Sequence, residues 1–173
     1  CFWDYPMIEL YGKTAGIIGL GRIGQATAKL LNALDMEVIA YDAHESEAGK
    51  KLAEYVSLDE LFARSDVIFL HCPLFPATEG IINKENITKM KDGVVIINTS
   101  RGTNVDEDAL LAALESGKVR SAGLDVYAEE PAKNHALYCH PMVSCTPHIG
   151  AATVEAQKRI GAEIVDIITN FKA

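Results

Sequence analysis

A glycine-rich turn between an apolar run and a helical pattern constrains the fold of this chain more than any other feature. The turn reads Gly19-Leu20-Gly21-Arg22-Ile23-Gly24 and directly follows Ile17-Ile18. Gly19 permits a tight turn, Gly21 lets the backbone approach a pyrophosphate, and Gly24 lets the helix pack closely on the strand. Free N–H groups at the helix start can then bind phosphate oxygens. We therefore predict a dinucleotide site at Gly19, Gly21, Arg22, Ile23 and Gly24, in which Arg22 either adds charge or is simply solvated.

Short β-branched runs alternate with amphipathic helical patterns along the whole chain. The predicted strands are Thr14 to Gly19, Glu37 to Asp42, Asp66 to Cys72, Val94 to Ser100, Ser121 to Tyr127 and Val143 to Thr146, with a minor one at Glu54 to Val56. Clusters of Gly, Pro and polar residues follow three of these strands, at residues 73–78, 101–104 and 128–142. This alternation predicts an α/β fold, a doubly wound parallel sheet of the Rossmann type that binds ligands at its carboxyl edge.

Helical spacing and capping residues locate the main predicted helices. Apolar residues recur at helical spacing from Ile23 to Leu34, between the first two strands. Ser57 followed by Glu60 predicts a capping box for a helix that ends near Arg64. Asp106 and Gly117 would begin and end another helix. The final helix carries one apolar stripe, which predicts core packing or a subunit interface and consists of Ile160, Ile164, Ile167, Ile168 and Phe171.

Asp42 ends the second predicted strand, 18 residues after the last glycine of the turn and close to the ~20 expected of the motif. An acid at this position accepts hydrogen bonds from the adenosine ribose in dinucleotide-binding folds. Its negative charge would also repel the additional phosphate of NADP, which favours NAD as the coenzyme. The alternative is that Asp42 is an ordinary turn residue at the end of a strand.

The charge and the cysteines argue against several other classes of protein. A formal net charge of −8 disfavours nucleic-acid binding, which needs clustered Lys and Arg, and no run approaches the ~20 apolar residues of a membrane helix. The four cysteines lack CxxC spacing, so we expect reduced thiols, no metal site at Cys139, His140 and Cys145, and a cytoplasmic location. The chain has neither a secretory signal nor a starting Met, and we interpret it as a piece of a longer protein.

Several short segments occur in a fixed order along the chain. They are Gly19 to Gly24 with Tyr41-Asp42, His71 to Leu74 with Thr78, Asn98 to Gly102 with Val105-Asp106, Gly123 to Val126, Glu129 to Pro131, and Thr146 to Gly150. Together they resemble the D-isomer-specific 2-hydroxyacid dehydrogenases over essentially the whole length of the chain. The resemblance implies NAD as coenzyme and a coenzyme domain inserted into a substrate domain built from both chain ends.

The domain boundaries follow from this resemblance. Residues 1–173 would form one NAD-binding domain, with residues 1–12 as an interdomain linker and the substrate domain absent. A homodimer would form through the coenzyme domains. We expect such a chain to bind NADH but to turn over poorly, because the cleft that closes on the substrate would be incomplete.

The same resemblance assigns catalytic roles to three residues. Arg101 would hold the carboxylate and carbonyl oxygen of the substrate, His148 would exchange the proton, and Glu130 would orient His148. The residue types suit these roles, because arginine presents a planar fork to a carboxylate and histidine titrates near neutral pH. The implied reaction is reversible hydride transfer between NADH and a small 2-oxo acid.

Further coenzyme contacts are implied by the resemblance alone. Asp125 would hydrogen-bond the nicotinamide carboxamide, and the backbone of residues 73–75 and 99–101 would line the nicotinamide half. Beyond the glycine turn and Asp42, the predicted coenzyme residues are Cys72, Pro73, Thr78, Thr99, Ser100, Arg101, Asp125, His148 and Gly150. We interpret His71 as structural, and His44, His135 and His140 as structural or surface residues.

Different segments of the chain resemble two subgroups of the family, which act on different substrates. The opening segment Phe2 to Pro6, with residues 8–14, is similar to glycerate dehydrogenases, also called hydroxypyruvate reductases. Residues 146–153, with Ala151 and Ala152 where that subgroup has a tryptophan, are more similar to phosphoglycerate dehydrogenases, and Phe75 stands where a small or polar residue is usual. We expect hydroxypyruvate and D-glycerate as the substrates of the two directions of the reaction, with 3-phosphoglycerate as the alternative substrate. Two other classes remain open: an NAD-sensing scaffold like the corepressors of this fold, and a Rossmann domain for another adenosine ligand.

Overall fold

Seven parallel strands form one sheet in the computed structural model, which describes residues 7–171. The strands are β1 Thr14–Ile18, β2 Glu37–Tyr41, β3 Glu54–Tyr55, β4 Val67–Leu70, β5 Val94–Asn98, β6 Val119–Leu124 and β7 Val143–Cys145. Their order across the sheet is β3-β2-β1-β4-β5-β6-β7, and every neighbouring pair is parallel. The strand order therefore reverses between β1 and β4, which confirms the predicted doubly wound fold.

Helices connect the strands and cover the sheet. They are α1 Arg22–Ala33, α2 Glu47–Lys50, α3 Leu58–Arg64, α4 Lys84–Lys89, α5 Glu107–Glu115, α6 His135–Tyr138 and α7 Val154–Asn170, with a short 3-10 helix at Gly102–Asn104. The four helices that the sequence predicts are present as α1, α3, α5 and α7. The short helices α2, α4 and α6 are not predicted, because one or two turns are too few to show an apolar period.

Two apolar clusters hold the helices against the sheet. Leu31 of α1 belongs to one cluster with Ile17, whereas Leu61 of α3 and Leu110 of α5 belong to the other with Ile18. Because successive side chains of a strand point to opposite faces, Ile17 and Ile18 bury β1 on both sides of the sheet. Burial on both faces explains why the central strands are continuous apolar runs rather than alternating ones.

The predicted helix ends form, with one difference. The Asp106 side chain accepts a hydrogen bond from the Ala109 N–H at the start of α5, and Gly117 follows its end with a φ of 77°. At α3, the Ser57 hydroxyl accepts from the Glu60 N–H at 3.2 Å. The Glu60 carboxylate does not complete the predicted capping box, because it pairs with Arg64 at 2.7 Å.

Most strands end one or two residues before the predicted limits. Gly19 and Asp42 lie just past β1 and β2, and Cys72, Thr99 and Asp125 lie past β4, β5 and β6. β6 also begins at Val119 instead of the predicted Ser121. The candidate site residues are therefore in loops at the carboxyl edge of the sheet, where backbone groups are free to contact a ligand.

The apolar stripe of α7 is exposed in the described part of the chain. None of the 17 residues of α7 is buried, and its isoleucines Ile160, Ile164, Ile167 and Ile168 are 41 to 69 % exposed. Of the two predicted roles, core packing within residues 7–171 is therefore wrong, and a role as an interface stays a prediction.

The glycerate dehydrogenase-like segment Phe2 to Pro6 lies outside the described residues. No helix among the described residues is long and apolar enough to cross a membrane.

Candidate active site

The three glycines of the turn occupy the positions that a dinucleotide site requires. Gly19 has a φ of 95°, and a Cβ there would lie 2.6 Å from the Cys72 nitrogen, so only glycine fits between β1 and β4. A Cβ on Gly24 would lie 2.2 Å from the Gly19 oxygen, whereas nothing lies within 4 Å of one on Gly21. The backbone thus packs tightly at Gly19 and Gly24 and is open at Gly21, where a pyrophosphate would approach.

The N-terminus of α1 is suited to an anion. Gly21 is its N-cap, no side chain caps the helix, and its first turn contains no acidic residue. The first N–H groups and the positive end of the helix dipole are therefore available to phosphate oxygens. The Arg22 side chain is 89 % exposed and pairs with Glu163 of α7 at 3.3 Å. An exposed pair of this kind contributes little to stability, so Arg22 can exchange Glu163 for a phosphate.

The Asp42 carboxylate is fixed beside the glycine turn. One oxygen accepts a hydrogen bond from the Leu20 N–H at 2.7 Å, and the other accepts from the His44 N–H at 2.9 Å. A carboxylate has about four acceptor positions, so about two remain for ribose hydroxyls. The local structure that holds Asp42 is therefore compatible with the predicted ribose contact.

A pocket of about 290 Å³ is lined by residues at the ends of β1 and β2 and by the loop that follows β4. Gly19 and Asp42 line one part of it, and Pro73, Phe75 and Thr78 line another. The Thr78 hydroxyl donates to the Pro73 oxygen at 2.6 Å and accepts from the Phe75 N–H at 2.8 Å, so it holds this loop in shape. Phe75 therefore lines the same pocket as Asp42, whereas the resemblance places the Phe75 backbone in the nicotinamide half.

Two buried asparagines shape the loop that carries Arg101. Asn98 accepts from the Ser100 N–H and hydroxyl at 3.0 and 2.9 Å, and its amide donates to the Arg101 oxygen at 2.9 Å. The Asn104 amide donates to the Ser100 hydroxyl at 3.1 Å and to the Cys72 oxygen at 3.2 Å. The Ser100 hydroxyl is therefore used internally, so a contact of Ser100 with a coenzyme would come from its backbone.

Two predicted side chains beside this loop take structural positions. The Cys72 side chain is buried, and burial raises the pKa of its thiol to about 11, so it stays protonated at neutral pH. His71 lies between the hydroxyls of Thr27 and Thr99, at 3.0 and 3.4 Å, and its burial lowers its pKa. His71 thus fits the structural role that the sequence predicts, and Thr99 shares its hydroxyl with His71.

The Arg101 side chain has no acidic partner in residues 7–171. Its Nη1 donates to the neighbouring Ser100 oxygen at 2.6 Å, and the residue is exposed. A guanidinium has five N–H donors in a planar fork, and a carboxylate ligand uses two of them. The side chain can therefore bind an anionic ligand without first breaking a salt bridge with a described residue.

Asp125 holds the loop of residues 146–150. Its carboxylate accepts from the Thr146 hydroxyl at 2.6 Å, the Ile149 N–H at 2.9 Å and the Gly150 N–H at 3.0 Å. Burial alone would raise the pKa of Asp125, but these hydrogen bonds together hold it below its ordinary value. Three of about four acceptor positions are occupied, so one remains for a ligand. The loop includes His148 at a φ of 55°, a conformation that non-glycine residues keep only where their surroundings fix it.

Glu130 and His148 form a direct pair. The His148 Nδ1 lies 2.9 and 3.0 Å from the two Glu130 carboxylate oxygens. Both side chains are about half exposed, at 49 and 44 %. Because Nδ1 is engaged by the carboxylate, Nε2 is the ring nitrogen left to exchange a proton with a ligand.

Three residues that the sequence does not single out hold the Glu130 and His148 loops together. The Tyr127 hydroxyl donates to the Thr146 oxygen at 2.6 Å, and its ring packs edge-on against Tyr138 at 4.8 Å. Burial raises the pKa of Tyr127 to about 12, so its hydroxyl remains a donor. The Glu107 carboxylate accepts from the Tyr138 hydroxyl at 2.5 Å and from the Ala128 N–H at 2.9 Å. Tyrosines and a glutamate at a helix start or in a loop are too common for the sequence to reveal this structural role.

The Arg101 loop packs directly on the segment that leads to Glu130. A Cβ on Gly102 would lie 1.8 Å from the Tyr127 oxygen, so the two backbones are in contact. β5, β6 and β7 are neighbours in the sheet, and Arg101, Glu130 and His148 follow these three strands in turn. The structure therefore brings Glu130 and His148 into contact and places the loop of Arg101 after an adjacent part of the sheet, at the same carboxyl edge. Across residues 7–171, no group of His, Cys, Asp or Glu is arranged to hold a metal ion.

We expect Asp125→Asn to destabilise the chain at neutral pH. We also expect its free energy of unfolding to fall less than that of the wild type when the pH is lowered. The asparagine NH2 group would face the Ile149 or Gly150 N–H, so that two donors would oppose each other. We expect this to lower the free energy of unfolding by about 1–3 kcal/mol. Because the pKa of Asp125 is lower in the folded chain than in the unfolded one, its carboxylate stabilises the fold above about pH 4. This contribution is lost as the pH falls through the folded-state pKa.

Urea unfolding of the wild type and of Asp125→Asn over a series of pH values measures this effect. The difference in free energy of unfolding should be largest at neutral pH and should shrink below about pH 4. A difference that stays constant as the carboxylate is protonated would contradict the proposed hydrogen bonds to its charged form.

The glycine turn, Asp42 and the loops at the carboxyl edge define a dinucleotide-binding domain of the doubly wound class. Within this class, the chain belongs to the D-isomer specific 2-hydroxyacid dehydrogenase family. The sequence model of the family's NAD binding domain matches residues 3–150. The matched range includes the glycine turn, Arg101, Glu130 and His148, so NAD is the coenzyme of this domain.

Known proteins similar to this chain agree with the family. A hydroxypyruvate reductase of Blautia hydrogenotrophica is 56% identical over 98% of the chain and 52% of its own length. A D-3-phosphoglycerate dehydrogenase of Mycobacterium tuberculosis is 46% identical over 92% of the chain and 31% of its own length. The D-lactate dehydrogenase of Aquifex aeolicus, solved with NAD and lactic acid, has a TM-score of 0.87 and 39% identity over 96% of the chain and 55% of its own. The chain spans about half the length of the hydroxypyruvate reductase it matches.

Proposed function

We propose that the protein is an NAD-dependent D-2-hydroxyacid dehydrogenase that interconverts hydroxypyruvate and D-glycerate. The observation that carries this proposal is the contact between the His148 Nδ1 and both Glu130 oxygens, at 2.9 and 3.0 Å. A histidine held in this way is a proton donor and acceptor of fixed orientation. It lies at the same edge of the sheet as the glycine turn and Arg101, where a coenzyme and a carboxylate substrate would meet.

Each side chain has a separate part in the proposed reaction. When bound, NADH supplies the hydride that reduces the 2-oxo carbon. His148 donates a proton from Nε2 to the carbonyl oxygen as that carbon is reduced, and accepts it again in the reverse direction. Glu130 accepts the hydrogen bond of the Nδ1–H group, so that Nε2 always serves the substrate.

Binding of the substrate and of the nicotinamide is assigned to neighbouring groups. Arg101 binds the substrate carboxylate and carbonyl oxygen, because its guanidinium has no acidic partner among the described residues. The last acceptor position of Asp125 receives the nicotinamide carboxamide. The backbone of Thr99 to Arg101 and of Gly150 lines the same half of the coenzyme. The Gly21, Arg22 and Ile23 segment binds the pyrophosphate, and Asp42 binds the ribose.

The choice of hydroxypyruvate is supported by sequence similarity. The hydroxypyruvate reductase named above is 56% identical and is matched over 98% of the chain, whereas the phosphoglycerate dehydrogenase is 46% identical over 92%. 3-Phosphoglycerate remains the second candidate, because Ala151 and Ala152 stand where glycerate dehydrogenases have a tryptophan. We also propose a cytoplasmic location, with which the free thiols of Cys72, Cys139 and Cys145 agree. The homodimer is proposed from the family resemblance alone.

A steady-state assay of the protein expressed from its complete reading frame tests this function. NADH oxidation would be followed with hydroxypyruvate, glyoxylate and phosphohydroxypyruvate as substrates. We expect hydroxypyruvate to give the highest kcat/KM. A higher value for phosphohydroxypyruvate would establish the second candidate instead. Coenzyme binding without turnover of any 2-oxo acid would support a scaffold that senses NAD.

We expect Asp42→Ala to reduce the affinity for NADH by about 10-fold or more, because hydrogen bonds to a charged acceptor contribute about 1.5–3 kcal/mol. The affinity for NADPH should fall less or rise, because the repulsion of its additional phosphate is removed. Calorimetric titration of both coenzymes measures the change, and Asp59→Ala, an exposed acid at the start of α3, is the control. An unchanged ratio of the two affinities would contradict the ribose contact of Asp42.

A further inference from the structure

Phe75 is an exposed aromatic ring beside the proposed ribose site. The residue is 60 % exposed, although burial of a phenylalanine side chain is favourable. It lines the pocket of about 290 Å³ that also includes Asp42 and His44. A single exposed apolar side chain needs no explanation, but one that lines a pocket next to a ligand-binding carboxylate can contact that ligand.

The backbone of Phe75 is held in place. Its N–H donates to the Thr78 hydroxyl at 2.8 Å, and its oxygen accepts from the N–H groups of Thr78 and Glu79, both at 2.9 Å. The Thr78 hydroxyl also closes the loop onto the Pro73 oxygen at 2.6 Å. A fixed backbone lowers the entropy that the ring would lose when it contacts a ligand.

The order of groups in NAD determines what reaches this pocket. The pyrophosphate belongs at the start of α1 and the adenosine ribose at Asp42, so the adenine base extends beyond Asp42. Gly19 and Asp42 line the same pocket as His44 and Phe75, so this pocket offers a place for the base next to the ribose position. An adenine base has two flat apolar faces, which stack well on an aromatic ring.

We propose that Phe75 stacks on the adenine base of NAD and positions the adenosine half of the coenzyme. This proposal rests on the NAD site of the proposed function, with Asp42 at the ribose. It adds a binding side chain in a loop position where the sequence pattern of the family leads one to expect a small or polar residue. The contact would strengthen coenzyme binding without touching the reacting atoms.

Binding measurements with whole and partial coenzymes test the stacking. NADH, ADP-ribose and reduced nicotinamide mononucleotide, which lacks the adenosine half, would be titrated by calorimetry into the wild type, Phe75→Leu and Phe75→Tyr. We expect Phe75→Leu to weaken NADH and ADP-ribose by about 10-fold each, the range of base stacking on an aromatic ring. The mononucleotide should bind equally to all variants, and Phe75→Tyr should bind like the wild type because it keeps the ring.

Leu30→Ala is the matched control, because Leu30 is an exposed apolar residue of α1 that does not line the pocket. Its NADH affinity should equal that of the wild type. A second readout is the ring-current shift of the adenine protons of bound ADP-ribose in NMR spectra, which should be similar in the wild type and Phe75→Tyr and smaller in Phe75→Leu.

The outcomes separate this inference from the proposed function. NADH binding by the wild type with an unchanged affinity in Phe75→Leu would overturn the stacking alone. An equal loss of mononucleotide affinity in Phe75→Leu would also overturn it, because the substitution would then act through loop shape. A wild type that binds neither NADH nor ADP-ribose would overturn the NAD site at Asp42 and the stacking together.

Discussion

Replacing His148 with glutamine is expected to lower kcat/KM for 2-oxo acid reduction by about 100- to 10,000-fold, the usual contribution of a general acid and base. Glutamine keeps a hydrogen-bonding amide next to Glu130 but cannot exchange a proton. The affinity for NADH should change little, because the glycine turn and Asp42 bind the coenzyme elsewhere along the sheet edge. Steady-state kinetics of the protein from its complete reading frame, with calorimetric NADH titration, measures both quantities.

The control for this variant is His135→Gln, which removes an exposed histidine at the start of α6. Its kcat/KM should equal that of the wild type. Turnover by His148→Gln within a fewfold of the wild type would show that another group moves the proton, and the proposed chemistry would fail. A loss of NADH binding as large as the loss of turnover would show that the substitution disturbs the site more widely.

Gly102→Ala is expected to cause the largest loss of stability. A Cβ at this position would lie 1.8 Å from the Tyr127 oxygen and 1.9 Å from its carbonyl carbon, which are backbone atoms that cannot rotate away. The two loops must therefore move apart, at a cost of about 3 kcal/mol or more by comparison with overpacked cores. Because these loops carry Arg101 and lead to Glu130, the variant should also lose substrate affinity.

Urea unfolding of Gly102→Ala beside Gly161→Ala measures this loss. Gly161 lies in α7 with nothing within 4 Å of an added Cβ, so alanine there should be neutral or stabilise the helix by up to about 1 kcal/mol. Equal free energies of unfolding for Gly102→Ala and the wild type would contradict the close contact between the Gly102 and Tyr127 backbones.

The sequence predicts the sheet and the edge of the site because both depend on local patterns. β1, β2, β4 and β5 are apolar runs that end at turn residues, and parallel strands place those ends on one edge. The glycine turn has a strict local geometry, so its three glycines take the predicted positions. Arg101, Glu130 and His148 are predicted only through the resemblance to a family, since no local pattern links residues so far apart in the chain.

The internal supports of the site are not predictable from the sequence. Asn98 and Asn104 are linked through the Ser100 hydroxyl, and Glu107 reaches Tyr138 and the Ala128 N–H across a long separation in the chain. Such hydrogen bonds depend on tertiary placement and leave no periodic trace. The apolar stripe of α7 differs from these supports, because it does leave a periodic pattern in the sequence. That pattern predicts the helix correctly but does not determine what covers its apolar face.

A crystal structure of the protein with NADH and a non-reducible analogue of a 2-oxo acid tests the central claim most directly. We expect the adenine on Phe75, the pyrophosphate at the start of α1, and the carboxylate of the analogue on the Arg101 guanidinium. The His148 Nε2 should lie about 3 Å from the oxygen that stands for the substrate carbonyl, and its Nδ1 should remain on Glu130. A nicotinamide bound away from these three side chains, or a His148 that leaves Glu130 and turns from the ligand, would contradict the account.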